Sequence, residues 1–236
     1  MKKITYIIVS ILFSITLQGQ EIGKKSKIEY AKKGTESLKN QEYQNAIQYF
    51  TLSLTSNYTK DNETVLIESN VYNFRGLAYM GVKDYQNAMK DYNLAIQNSI
   101  SESDLQFIYN NRGFLKMTLQ DYRGAILDFN YNIDKFNKSA AKNGRDITVD
   151  LAKYNSSVSA SFSSKSFCNM KLNNFVEAIE DANVAIELNF NDELAYCVRG
   201  VCKFNLGQKE SACLDFSKAG ELGYEEAYMY IKKYCN

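Results

Sequence analysis

The chain has 236 residues, 45% hydrophobic and 23% charged, which is enough apolar material for a sizeable buried core. With 28 basic and 27 acidic residues its formal charge is +1, so it offers no electrostatic footprint for nucleic acid or anionic lipid. It has no His, which excludes zinc sites and acid–base pairs built on histidine, and no Pro, so its turns must rest on Gly, Asn, Asp and Ser.

Residues 1–20, MKKITYIIVSILFSITLQGQ, have a basic start, an apolar run from Ile4 to Leu17, and small or polar residues at Gln18, Gly19 and Gln20. This pattern predicts a secretory signal peptide cleaved near Gly19 or Gln20. The apolar run is about 14 residues, short of the roughly 20 that cross a bilayer as a helix, so an uncleaved anchor is the lesser alternative. The first cysteine is Cys168, so lipid modification at the end of the run is not expected. The mature chain is expected to begin near Glu21, outside the cytoplasm and without a stable membrane anchor.

Beyond it, one helical hairpin recurs. Tyr72–Gln97 reads YNFRGLAYMGVKDYQNAMKDYNLAIQ, two short amphipathic helices with a tight turn at Lys83–Asp84. Tyr109–Ile133 and Tyr196–Ala219 are close variants. Aligned in register, the chain gives an aromatic row (Tyr30, Tyr72, Tyr109, Phe162, Tyr196) and a small row (Gly34, Gly76, Gly113, Ser166, Gly200). An alanine row (Ala46, Ala88, Ala125, Ala178, Ala212) follows, then a second aromatic row (Phe50, Tyr92, Phe129, Phe216) that Ala182 interrupts. A last small row of Ser53, Ala95, Ala185 and Ala219 is interrupted by Asn132. Small residues allow two helices to approach closely, and aromatics fill the space beside that contact. Asp84 and Asp121, just ahead of Tyr85 and Tyr122, suit the N-terminus of each second helix.

These rows resemble the tetratricopeptide repeat, a helix-turn-helix unit of about 34 residues. The resemblance covers roughly 27–226. It implies an all-α, right-handed α-solenoid of about five repeats, near 27–60, 69–102, 106–139, 159–192 and 193–226, with a capping helix at 225–235. Spacing along the alanine row marks the irregularities. Ala88 follows Ala46 by 42 residues, which predicts a longer loop and an extended helix over Asn57–Glu68. Ala125 follows Ala88 by 37, with the excess near Ser99–Ser103. Ala178 follows Ala125 by 53, placing an insertion at about 135–158. There Asn143–Gly144 predicts a turn, and Leu151, Tyr154 and Val158 have helical spacing. The expectation is a loop leading into a long helix, with a linker as the alternative for its Ser-rich part.

Two further rows carry charge. Lys33, Arg75, Arg112, Lys165 and Arg199 recur on the first helix, and Asp91, Asp128, Asp181 and Asp215 on the second, with Tyr49 in the first repeat. Paired cation and acid predict an ion pair inside each repeat rather than a line of cations for an anionic ligand. The resemblance implies a concave face carrying Leu77, Met80, Phe114, Met117, Phe167, Met170, Val201 and Phe204, flanked by Asn73, Asn110, Asn111 and Ser163. Met and aromatic side chains with amide edges suit a peptide segment or an amphipathic helix. Core packing is the plain alternative for the same residues. Some tetratricopeptide proteins hold a peptide's terminal carboxylates with Lys and Asn. Here Ala31, Thr35, Phe107 and Leu194 stand where that pattern needs them, so that activity is not carried over.

Five cysteines in an exported chain make disulfides possible, and Cys213 with Cys235 would staple the cap to the array. No Cys-x-x-Cys spacing points to a metal, and no catalytic constellation or phosphate loop is present. The expected function is therefore a non-catalytic scaffold or assembly factor of the cell envelope that holds a protein partner, with no cofactor. The alternatives are a module binding an envelope glycan or small molecule, and an accessory to an enzyme.

Overall fold

The computed structural model describes residues 23–56, 62–142 and 155–235. The expected signal peptide, residues 57–61 of the first loop and residues 143–154 of the expected insertion lie outside them. All regular structure among the described residues is helical. The helices are α1 (23–39), α2 (Tyr43–Thr55), α3 (Asn62–Gly81), α4 (Tyr85–Asn98), α5 (Glu102–Thr118) and α6 (Tyr122–Lys142). They continue as α7 (Asn155–Lys171), α8 (Phe175–Leu188), α9 (Glu193–Asn205), α10 (Lys209–Glu221) and α11 (Glu226–Tyr230), which runs into a π-helical turn at Ile231–Cys235. The chain forms two compact units, one through Asn111 and one from Arg112, so the boundary falls inside α5.

In the first unit α1 pairs with α2 and α3 with α4, and α2 packs on α3. In the second, α7 pairs with α8 and α9 with α10, while α6 packs on α7 and α8 on α9. The fold is that of tetratricopeptide-type helical hairpins.

The small row sits where it does because a ring occupies the space a side chain would need. A Cβ at Gly34, Gly76, Gly113 or Gly200 would lie 2.6 to 2.8 Å from the ring of Phe50, Tyr92, Phe129 or Phe216. All four rings are fully buried. The fourth repeat departs at both positions together: Ser166 replaces glycine where Ala182 replaces the ring. Ser166 is buried, and its hydroxyl donates to the Ser163 carbonyl. The two irregular residues are thus one compensated exchange. Alanine in place of glycine ordinarily favours a helix by ~1 kcal/mol. At Gly113 the collision with Phe129 reverses the sign, and Gly113→Ala is expected to destabilise by about 1–3 kcal/mol in urea denaturation. In a Phe129→Ala background that cost should vanish, and a cost that persists there would locate the strain elsewhere.

Each turn inside a hairpin is built alike. The residues at equivalent positions, Gln41, Lys83, Gln120, Asn173 and Gly207, have positive φ between 61° and 79°. The next amide reaches back in every case, as from Asp84 N to Tyr79 O (2.9 Å) and from Asp121 N to Lys116 O (2.8 Å). This left-handed closure satisfies the last carbonyls of the first helix. Asp84 and Asp121 then cap α4 and α6, accepting from Asn87 N and Gly124 N.

Three repeats are also closed at the far end. Ser53 Oγ donates to Lys27 O, Ser69 Oγ to Ala95 O, and Ser159 Oγ to Ala185 O. The Ser-rich stretch entering the fourth repeat is helix from Asn155 onward, with Ser159, Ser161, Ser163, Ser164 and Ser166 buried. α6 runs on to Lys142, into the expected loop, because no Gly or Pro intervenes before Gly144.

Candidate functional site

The charged rows form the most regular polar feature. Arg75 donates to both carboxylate oxygens of Asp91 at 2.7 and 2.9 Å, and Arg199 to both of Asp215 at 2.9 and 2.6 Å. Arg112 does the same to Asp128 at 2.9 and 2.7 Å, and Lys165 reaches Asp181 at 2.9 Å. In the first repeat, where Tyr49 replaces the acid, Lys33 pairs with the exposed Glu29 instead. Most of the acids have a second partner one turn along the first helix. Lys116 bonds Asp128, Lys203 bonds Asp215, and Asn169 bonds Asp181. Burial pushes the Asp181 carboxyl above its ordinary range, against the opposing pull of Lys165 and Asn169. The arginines also tie neighbouring hairpins together: Arg75 Nη1 donates to Thr51 on α2, and Arg199 Nη1 to Asn183 on α8. These acids are buried and bonded, so the rows are architecture.

The expected partner-binding residues divide into two kinds. The polar ones are largely committed within the protein. Asn73 is buried and accepts from Asn111 Nδ2 at 2.9 Å, and Asn70 donates to Asp104 at 3.2 Å, so first helices of adjacent hairpins are laced together. Asn110 is also buried. Ser163, buried, donates to Asp192 Oδ1, which also caps α9 through the Ala195 amide, while Ser159 reaches Oδ2. Burial raises the Asp192 carboxyl despite those bonds.

The apolar residues keep part of their surface. Leu77 and Met80 are half-buried in the first unit, and Met80 Sδ accepts from Tyr92 Oη. In the second unit Phe114 is 37% exposed, its ring edge against Phe129. Met117 lies beside the Ala125–Phe129–Cys168 cluster. Phe167 and Met170 come together over Ala178, Val198 and Cys202. Val201 is half-buried, and Phe204 lies under the ring of Tyr234, centroids 4.1 Å apart. The first unit also has an open groove of about 630 Å³ on α1, with Ile28, Ala31 and Ile67 as apolar lining and Lys32, Thr35, Glu36 and Lys39 around them.

Cys213 and Cys235 are joined, Cα atoms 5.7 Å apart, while Cys168, Cys197 and Cys202 are free and buried. Among the described residues no group of three or more Cys, Asp or Glu could hold a metal ion. None of the described helices is long and apolar enough to cross a membrane.

Comparison with known proteins places this geometry. Residues 69–99 match the family model described as tetratricopeptide repeat. No curated protein matches the sequence. Among solved structures, a MamA protein superposes with a TM-score of 0.60 at 14% identity over 86% of this chain and 95% of its own. MamA 41-end from Desulfovibrio magneticus RS-1 gives 0.62 at 13% identity, over 85% and 97%. Pseudomonas aeruginosa pilF gives 0.63 at 12% identity, over 85% of this chain and 78% of its own. At these identities the likeness is one of fold.

Proposed function

We propose that the chain, which matches a tetratricopeptide repeat at residues 69–99 and shares the fold of such repeats, is a non-catalytic scaffold of the cell envelope that holds a segment of a protein partner. The partner lies on the apolar residues that α5 and α7 carry in the second unit. One contrast carries this reading. Polar side chains on first helices, such as Asn73 and Ser163, are bonded within the protein, whereas Phe114 is exposed and Met117, Phe167 and Met170 are only half-buried. Such a surface gains from covering by apolar side chains and offers few free hydrogen-bonding groups to a sugar. The basic start and apolar run of residues 1–20 support export, and N-terminal sequencing of the mature protein from its native cell tests it.

The test of binding is capture of partners from an envelope fraction by the wild type and by Phe114→Asp with Met117→Asp. Loss of a reproducible protein partner, by about tenfold or more with the thermal transition retained, is the expected result. Retention of the same partner, or capture of glycan alone, overturns the reading.

A further inference from the structure

The cap that ends the second unit is fastened by one covalent bond and a small set of noncovalent contacts. In α11 only Ala227 is buried, and in the turn Ile231–Cys235 no residue is. Tyr228 and Met229 stand in solvent at 58% and 64% exposure. The noncovalent hold consists chiefly of aromatic contacts. Tyr230 stacks on Phe216 at 5.0 Å and Tyr234 lies tilted against Phe204 at 4.1 Å, while Tyr228 Oη donates to Gly220 O. The turn is π-helical, a rare backbone state, and ends at Cys235. Both cysteines of the bond are partly exposed residues, and thiol–disulfide exchange depends on such access.

Beneath the cap lies a thiol. Cys197, 4% exposed, clusters with Ala219 and Ala227, and Tyr224 and Tyr230 pack against it. Burial pushes it up to about 12. Cys168 and Cys202 are buried in other clusters, with Ala125 and Phe129 and with Ala178 and Val198.

We propose that Cys213–Cys235 is a redox latch: oxidised, it holds the cap over Phe204, Phe216 and Cys197, and reduced, it lets the cap swing away while the hairpins stay folded. The reductant is a dithiol, small or protein-borne. One of its thiolates attacks a sulfur of the pair, and its second thiol resolves the mixed disulfide. The reductant leaves as its own disulfide, and two electrons and two protons end on Cys213 and Cys235. Opening bares the terminal apolar face that a helical-repeat array otherwise covers.

The full chain is treated with N-ethylmaleimide before and after reduction by dithiothreitol, and labelling of each cysteine is followed by mass spectrometry. After reduction, Cys197 is expected to react at least about tenfold faster, with Cys168 and Cys202 still protected. A Cys235→Ser variant should show the same selective labelling without reductant. Continued protection of Cys197 once Cys213 and Cys235 are labelled would make the bond a staple and overturn the latch. Equal acceleration of all three buried thiols, meaning general unfolding, overturns it too.

Discussion

Asp128→Asn is expected to destabilise the protein by about 3–5 kcal/mol, a fall of roughly 10 °C in Tm. The carboxylate is 2% exposed and receives three charged bonds, two from Arg112 and one from Lys116. Removing its charge leaves two cations facing each other in a partly desolvated site. Removing Arg112 is milder, because Lys116 still satisfies the acid. Arg112→Ala should therefore cost about 1–3 kcal/mol, lowering Tm with partner binding nearly unchanged. Asp91, whose one cation among the described residues is Arg75, supplies the control: Asp91→Asn and Arg75→Ala should cost similar amounts. Thermal unfolding of the four variants by circular dichroism decides the matter. Equal costs for Asp128→Asn and Arg112→Ala would show that the second cation contributes nothing, and loss of binding in Arg112→Ala with Tm unaltered would make the row functional.

Stability should also fall steeply above pH 9. Burial raises each of the Cys168, Cys197 and Cys202 thiols from 9.0 to about 12. In the unfolded chain they ionise from about pH 9, whereas in the folded chain they stay protonated. Over that window the unfolded state binds fewer protons, so stability decreases as pH rises, by up to roughly 1.4 kcal/mol per pH unit for each thiol. Three thiols give about 4 kcal/mol per unit at most. Tyr224, also raised by burial to about 12, adds in the same direction above pH 10. Lys27 opposes them: burial lowers its amine below 10.5 despite its pairing with Glu68, so its contribution rises with pH. Urea midpoints at pH 8, 9 and 10 test the slope. Cys202→Ala should reduce it by about a third; an unaltered slope would rule the buried thiols out as its source.

The repeat rows were legible because they depend on spacing alone. Gly76, Tyr92, Arg75 and Asp91 stand in fixed register, and each makes the contact its register implies. A second cation was equally readable and was missed: Lys116 and Lys203 each fall one turn after the arginine. The left-handed turns were hidden. Of the five equivalent positions only Gly207 is glycine, and Gln41, Lys83, Gln120 and Asn173 adopt positive φ because the reaching amide closes the helix. The candidate binding residues were readable as positions but not as free groups. Nothing local distinguishes Asn73, bonded across to Asn111, from an asparagine left open to a ligand. That distinction depends on which neighbouring hairpin comes within reach.

The two recurring contacts, glycine to ring and cation to acid, join residues 16 apart in sequence wherever they occur, and every hairpin has at least one of them. Closing so short a loop takes little chain entropy, so every hairpin is within reach of an early folding event and none must wait for distant parts of the chain. A nascent chain could thus settle its first hairpins while later ones are still being made. A chain threaded unfolded across a membrane would have the same advantage on arrival, since its ordering needs only neighbours already present.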